Sequence, residues 1–411
     1  MSAEYILALR RITSSPGVLR GTNPKVLSEI LSEAIPHISA MSAAELRALA
    51  KSVLVTHQTA PDCAVNNQLF RLMNRRIVTL MDACEFELMV PTFASLSKIV
   101  RQRHDGGPPS LRPDTVARFV QVANLALSVS DRCELLTILA RLNLKPPVAH
   151  FTAPEIETLH AMGAGGNGRI CGAVLALAKL GFSVLDFTPI LLSRISGLST
   201  MELSNLLYAL AIRVALSQDE VEKIACGKLA NPILQSLLRK KTDASLSSLS
   251  QVGVAYFALK DALLSPALHA FCEECVAIAE RDKSVNRITV SKAQAVIRRS
   301  LDSVGITAPI IQEEFPVGPF RLDFAIPSLQ LGIEINGPFH YYYKSQTPTA
   351  KSAFKRSVLE QQGWRILEID YLDLKAEDNK VALVETRLRS ALQIEARGKL
   401  KTEIVKLMNS Y

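Results

Sequence analysis

From residue 1 to about 285, apolar positions recur at intervals of three and four, broken by short runs of Pro, Gly and Ser. That spacing predicts a succession of amphipathic helices. Ser42 with Glu45, Thr152 with Glu155 and Ser199 with Glu202 have capping-box spacing, and Pro154 suits a first helical turn. Four apolar segments with small residues at the tight positions recur: Leu135–Ala140, Ala173–Ala178, Leu206–Ala211 and Val252–Phe257. Aligned on Ile138, Ala176, Ala209 and Ala255, they lie 38, 33 and 46 residues apart. Such intervals suit a helix–turn–helix repeat stacked as an α-solenoid, with an irregular bundle as the alternative. Ser204-Asn205 and Ser250-Gln251 are polar positions that a concave binding face would use. Gly163–Gly168 and Gly106–Pro109 read as loops, and neither follows a strand with phosphate-loop spacing.

Near Asp282–Asn286 the period changes. A helix over Ser291–Ser300 capped by Ser291, a strand over Pro309–Val317, and a hairpin in RLDFAIPSLQLGIEINGPFH (321–340) follow. Beyond them come a helix over Ala350–Gln362 closed by Gly363, a strand over Trp364–Tyr371 and a long helix from about Ala376 to Leu392, with a charged tail. The hairpin register puts Ile326 opposite Leu331, Phe324 opposite Ile333, Asp323 opposite Glu334, Leu322 opposite Ile335 and Arg321 opposite Asn336. One face is then apolar (Leu322, Phe324, Ile326, Leu331, Ile333, Ile335), and the other carries Arg321, Asp323, Ala325, Gly332, Glu334 and Asn336. Two carboxylates across an antiparallel pair repel, so a cation must offset them. Arg321, diagonal to Glu334, is the candidate from the hairpin itself. The fold class is therefore mainly α: an α-helical repeat domain over 1–285, then a small α/β domain over 286–411.

Composition adds limits. An apolar fraction of 48% excludes a largely disordered chain. The net charge of +8 is shared evenly: 18 basic and 14 acidic groups in 286–411, 29 and 25 before them. This mild excess suits an anionic partner but is no strongly basic arm. Seven scattered cysteines argue for a reducing compartment, and Cys272–Cys275 lacks the second pair a structural zinc needs. No apolar run is long enough for a membrane span. The first fifteen residues read either as a mitochondrial presequence or as a first helix, Glu4 counting against the former.

LDFAIPSLQLGIEINGPFHYY, followed by KSAFKRSVLEQQGWRILEIDY, resembles the RAP domain, closely over about 315–372 and more loosely over 290–392. The resemblance implies an α/β domain related to very-short-patch repair and PD-(D/E)xK nucleases. It also implies helical repeats in front, as in FASTK-like and octotricopeptide-like proteins. Its expected setting is an organelle, usually the mitochondrial matrix. The expected partners are RNA, ribosomal or messenger, and other ribonucleoprotein or mitoribosomal proteins, with no membrane. In that nuclease fold two acids hold Mg²⁺ and a lysine two residues after the second steadies the attacking water. Asp323 and Glu334 occupy the acid positions, but Asn336 stands where the lysine belongs, and His340 is the candidate proton-transfer group or phosphate contact. The expectation is a nuclease-like but inactive RNA-binding domain, with no cofactor unless Mg²⁺ serves an active site.

Binding has residues of its own. Phe339, His340, Tyr341, Tyr342, Tyr343 and Lys344 form an aromatic and basic run in which bases would stack and cations meet phosphates. Alternation exposes either Tyr341 and Tyr343, or Tyr342 alone. Lys351, Lys355 and Arg356 would join if their helix face borders the run; otherwise they are solvated charges. Trp364 reads as core. The rival functions are a metal-dependent endoribonuclease using Asp323 and Glu334, and a protein–protein scaffold within a ribonucleoprotein complex.

Overall fold

The computed structural model describes residues 31–59, 67–83, 88–100, 111–123, 127–146, 151–285, 291–393, 402 and 404–406. The presequence region, the 106–109 loop and most of the charged tail lie outside them. The chain forms two compact units, residues 1–162 and 163–411.

In the first unit, α1 (Ala43–Thr59), α3 (Met89–Val100) and α5 (Val129–Arg141) pack in succession. Helices α2 (Asn67–Asp82) and α4 (Pro113–Ala123) pack on each other, and α6 (Ala153–Ala161) lies on α5. The second unit contains α7 (Asn167–Leu180), α8 (Thr188–Arg194), α9 (Thr200–Leu216), α10 (Glu220–Arg239), α11 (Leu246–Leu259) and α12 (Pro266–Val285). Here α7 meets α9, α9 meets α11 and α10 meets α12. Stacking of alternate helices is the two-layer pattern of a helical repeat. The four small-residue segments fall on α5, α7, α9 and α11, all in one layer of their unit.

The predicted capping boxes form at Ser42, Thr152 and Ser199. Gly163–Gly168 is not all loop: Ala164–Gly166 makes a 3-10 turn and α7 begins at Asn167. The polar pairs suggested for a concave face are spent between helices instead. Gln251 Nε2 donates to Asn205 Oδ1 (3.3 Å), and Ser204 Oγ donates to Gln251 Oε1 (3.5 Å), binding α9 to α11. Cys272 and Cys275 are buried in α12, with burial pushing both thiols up to about 12, so they pack as small hydrophobes.

The α/β part runs α13 (Lys292–Ser303), β1 (Gln312–Val317), β2 (Phe320–Ile326), β3 (Leu331–Asn336), α14 (Ala350–Gln361), β4 (Arg365–Asp370), α15 (Tyr371–Ala376) and α16 (Lys380–Leu392). This is the α-β-β-β-α-β-α order expected, with one short helix, α15, added before the last. Asn379 caps the last helix by accepting from Ala382 N (3.0 Å), so that helix starts at Lys380, a few residues later than predicted. The sheet order is β1-β2-β3-β4, antiparallel twice and then parallel, with α14 as the crossover. One sheet face packs Phe324, Ile326, Leu331, Ile333 and Ile335 against Ile297 and Leu301 of α13 and Val384 and Leu388 of α16.

The α/β part does not stand alone within its unit. Helix α14 packs on α7 and α9 of the array. Phe354 meets Tyr208 edge-on (centroids 5.5 Å apart), Phe320 meets Phe257 (6.4 Å), and Ser357 Oγ donates to Ala215 O (3.4 Å). The change of period near 285 marks a change of element type, whereas packing begins at Gly163.

Close approach within the array rests on single glycines. A Cβ at Gly253 of α11 would strike the Cys275 carbonyl of α12, while a Cβ at Gly165 would meet nothing within 4 Å. Gly253→Ala should therefore cost about 1–3 kcal/mol in denaturant unfolding, as overpacking does. Gly165→Ala should unfold as the wild type does.

Candidate functional site

The hairpin forms in the predicted register, but only in part. Ile326 pairs with Leu331, Ala325 with Gly332 and Phe324 with Ile333, and there the ladder ends. The expected Asp323–Glu334, Leu322–Ile335 and Arg321–Asn336 pairs are absent from it. In their place Asp323 Oδ2 accepts the backbone N–H of Ile335 at 2.7 Å, so a side chain substitutes for the strand. On the other side of β2 the ladder is also interrupted, between Glu313–Phe324 and Phe315–Leu322, where Glu314 adopts φ 48°. The alternation shifts at this point. Leu322 packs against Gly332 and not in the core cluster of Phe324 and Ile326, a departure from the predicted apolar face.

Glu334 is 7% exposed, and its cation is not Arg321. Lys355 Nζ, from the middle of α14, donates to both of its carboxylate oxygens at 2.6 and 2.7 Å. A third donation, 2.6 Å long, goes to the backbone carbonyl of Arg321. Lys355 and Arg356 are thus not solvated helix charges. Arg356 donates to Glu360 (2.7 Å) and to Glu368 of β4 (2.9 Å). Glu368 lies beside Glu334 in the parallel register and also accepts from Asn336 Nδ2 (3.1 Å). Three neighbouring strands therefore each present an acid, and each acid has protein donors.

Gln294 of α13 completes the arrangement. Its amide oxygen accepts from Ser291 N (2.6 Å) in a capping box, which turns its Nε2 toward the sheet. There it donates to Asp323 Oδ1 (2.7 Å) and Glu314 Oε1 (3.0 Å). The sequence predicts the cap at Ser291 but neither this second use of Gln294 nor the part played by Glu368. The available signals were the cap spacing Ser291-x-x-Gln294 and the alternation of the β4 strand.

Charge states follow from the surroundings. Burial pushes Glu334 up to about 7, with Lys355 pulling it down and Asp323 adding to the rise. Burial also lowers His340, and Lys355 and Lys351 lower it further. A histidine held below its ordinary range near 6.5 is mainly neutral at pH 7; its Nδ1 lies 3.4 Å from Ser352 Oγ. Asp323 and Glu334 as they stand do not fit a metal ion: Gln294 and Ile335 N–H hold one, and a cation would have to displace Lys355 from the other. Among the described residues no three His, Cys, Asp or Glu side chains are placed to hold a metal.

The aromatic run follows the first alternation at Tyr342 and Tyr343 but not fully at Tyr341. Tyr342 is buried, its hydroxyl donating to Lys179 O (2.8 Å) and accepting from Ala350 N (3.2 Å), so it anchors the loop and is withdrawn from any ligand. Tyr341 is half-buried, Tyr343 is exposed with Lys344 Nζ 5.4 Å from its ring centre, and Lys351 is exposed. Trp364 is half-buried against Phe315 (5.5 Å) rather than in the core.

Alternating helical layers, followed by a four-stranded mixed sheet with acids on three neighbouring strands, define a mainly helical protein with a small α/β part after the helices. Residues 333–385 match the RAP domain, so the chain carries one near its C-terminus. Over 108 residues, 26% of the chain, it is 27% identical to a protein of Oryza sativa subsp. japonica named "RAP domain-containing protein, chloroplastic". The aligned stretch is 16% of that protein, so the chain spans about a sixth of this relative's length.

Glu334 gives a pH test. A folded-state value raised above the ordinary 4.5 means that stability is fully present below about 4.5 and is lost as pH rises to about 7. Urea unfolding at pH 4.5, 6 and 7.5 should show that decline in the wild type, and Glu334→Gln should flatten it. Lys355→Met, which strands a buried carboxylate, should cost about 3 kcal/mol at pH 7.5 and less at pH 4.5.

Proposed function

We propose that this chain is an organellar RNA-binding protein whose nuclease-like acids serve structure and not catalysis. The observation that carries this reading is the saturation of Asp323 and Glu334 by Gln294, the Ile335 N–H and Lys355. Carboxylates spent on holding two helices to a sheet leave binding as the task of the surface beside them. There Tyr341, Tyr343, Lys344 and Lys351 offer rings and charges, with Arg321 and His340 at the margin. RAP domains are generally RNA-binding, and the rice relative's name places that protein in a chloroplast. We assign this chain to an organelle, the mitochondrion or a plastid, with ribosomal RNA or a ribosome-assembly intermediate as its target. A mild net charge and a large helical array suit a protein held among other proteins better than a free-standing RNA binder. Exposed Met201 and Leu246, in the first turns of α9 and α11, are where such proteins would sit.

A second reading, a metal-dependent endoribonuclease, is favoured by one fact. Lys355 brings to Glu334 the positive charge that Asn336 does not supply. Labelled RNA incubated with the purified protein and Mg²⁺ or Mn²⁺ separates the two. Expected is binding that survives EDTA and weakens with salt, with no cleavage. Lys344→Glu with Lys351→Glu should lower affinity about tenfold or more. Cleavage that Asp323→Ala abolishes would establish the nuclease instead.

A further inference from the structure

Phe339 is 81% exposed, the most exposed aromatic among the described residues. Its position is fixed. It sits in a 3-10 turn, Pro338–His340, closed by His340 N donating to Gly337 O (3.0 Å). Two cross-loop hydrogen bonds tie the following segment back: Thr349 N to His340 O (2.8 Å) and Tyr342 N to Thr347 O (3.0 Å). The buried Tyr342 then pins the loop to Lys179 of α7. A large apolar ring is thus held outward by a loop whose ordering is already complete, which is how a preorganised contact is built.

Its surroundings choose the ligand. From Ile335 to Leu359 the sequence has no Asp or Glu, and the exposed Lys344 and Lys351 lie in it, whereas Lys355 and Arg356 are held by Glu334, Glu360 and Glu368. Pro338 of the turn and the loop residues Ser345 to Pro348 are exposed and mostly polar, unlike the apolar surfaces that dock proteins. An exposed ring near lysines suits a flat, uncharged group carried on a polyanion. A phenyl ring has no donor or acceptor with which to read a base edge, and it can use only the face of a base. In a duplex those faces are covered by stacking.

We infer that Phe339 is a base-stacking platform and that the ligand of the RAP domain is unpaired, single-stranded RNA, bound with little base preference. This inference rests on the RNA-binding reading above and names its substrate class. Tyr343 and Lys344 lie four and five residues further on and offer the next ring and phosphate contact along the strand.

The test is fluorescence anisotropy of the full chain with a short labelled RNA, single-stranded and annealed to its complement. The single strand should bind more tightly than the duplex. Phe339→Ala should weaken single-strand binding about tenfold, as loss of one stacked base does, with an unchanged thermal melt because the ring is exposed. Phe339→Trp should restore binding, and its added indole emission, after subtraction of the Trp364 signal, should be quenched by the single strand. Equal affinity of wild type and Phe339→Ala, or equal binding of duplex and single strand, would overturn the inference and leave RNA binding standing. Failure of the wild type to bind either RNA would overturn both.

Discussion

The contact between Lys355 and Glu334 holds the α/β part in its observed form. A carboxylate on a central strand, with Asp323 near it and Glu368 beside it in register, is unfavourable on every count of charge and solvation. One ammonium group, delivered by the crossover helix, meets both oxygens and the Arg321 carbonyl at once. Stranding a buried charge of this kind costs about 3–5 kcal/mol, comparable to much of a domain's net stability. The pair therefore fixes how α14 sits on the sheet. The position of α14 in turn fixes the loop before it, where the exposed rings and lysines are.

The same helix has a second set of neighbours. Phe354 and Ser357 face α9 of the array, and Tyr342 reaches α7. One surface of α14 thus closes the acid cluster, while another joins the sheet to the last repeats. A change at the array seam would be felt at the loop both through α14 and through the Tyr342–Lys179 hydrogen bond.

Several features of the site depend on small local devices. Gln294 uses its oxygen to cap its own helix, so its amide nitrogen can only face Asp323 and Glu314. Asp323 closes the end of the ladder by taking a backbone N–H, which lets β2 and β3 separate where the paired register would otherwise continue. These devices turn a set of like charges into a satisfied hydrogen-bonded core, and they leave the neighbouring loop as the chemically open surface.

Local rules carried the reading far. Apolar spacing, caps and turn residues determined the helical array, the order of the α/β elements and the three hairpin pairs nearest the turn. These depend on contacts a few residues apart, which a linear pattern records. For the aromatic run the same rules left two alternations open, between which packing on α7 chose. What only the tertiary structure decided are contacts between distant segments. From its helix alone Lys355 reads as a phosphate contact or a solvated charge, because nothing there shows that Glu334, twenty-one residues earlier, lies beneath it. Ser204 and Gln251 were placed on a binding face because their pairing spans two helices. The end of the hairpin ladder followed from a side chain competing with the backbone, and the packing of α14 on α7 and α9 from surfaces that sequence spacing does not bring together. Charge neutralisation and packing are satisfied in space, and a sequence records only which groups need partners, not which partners they find.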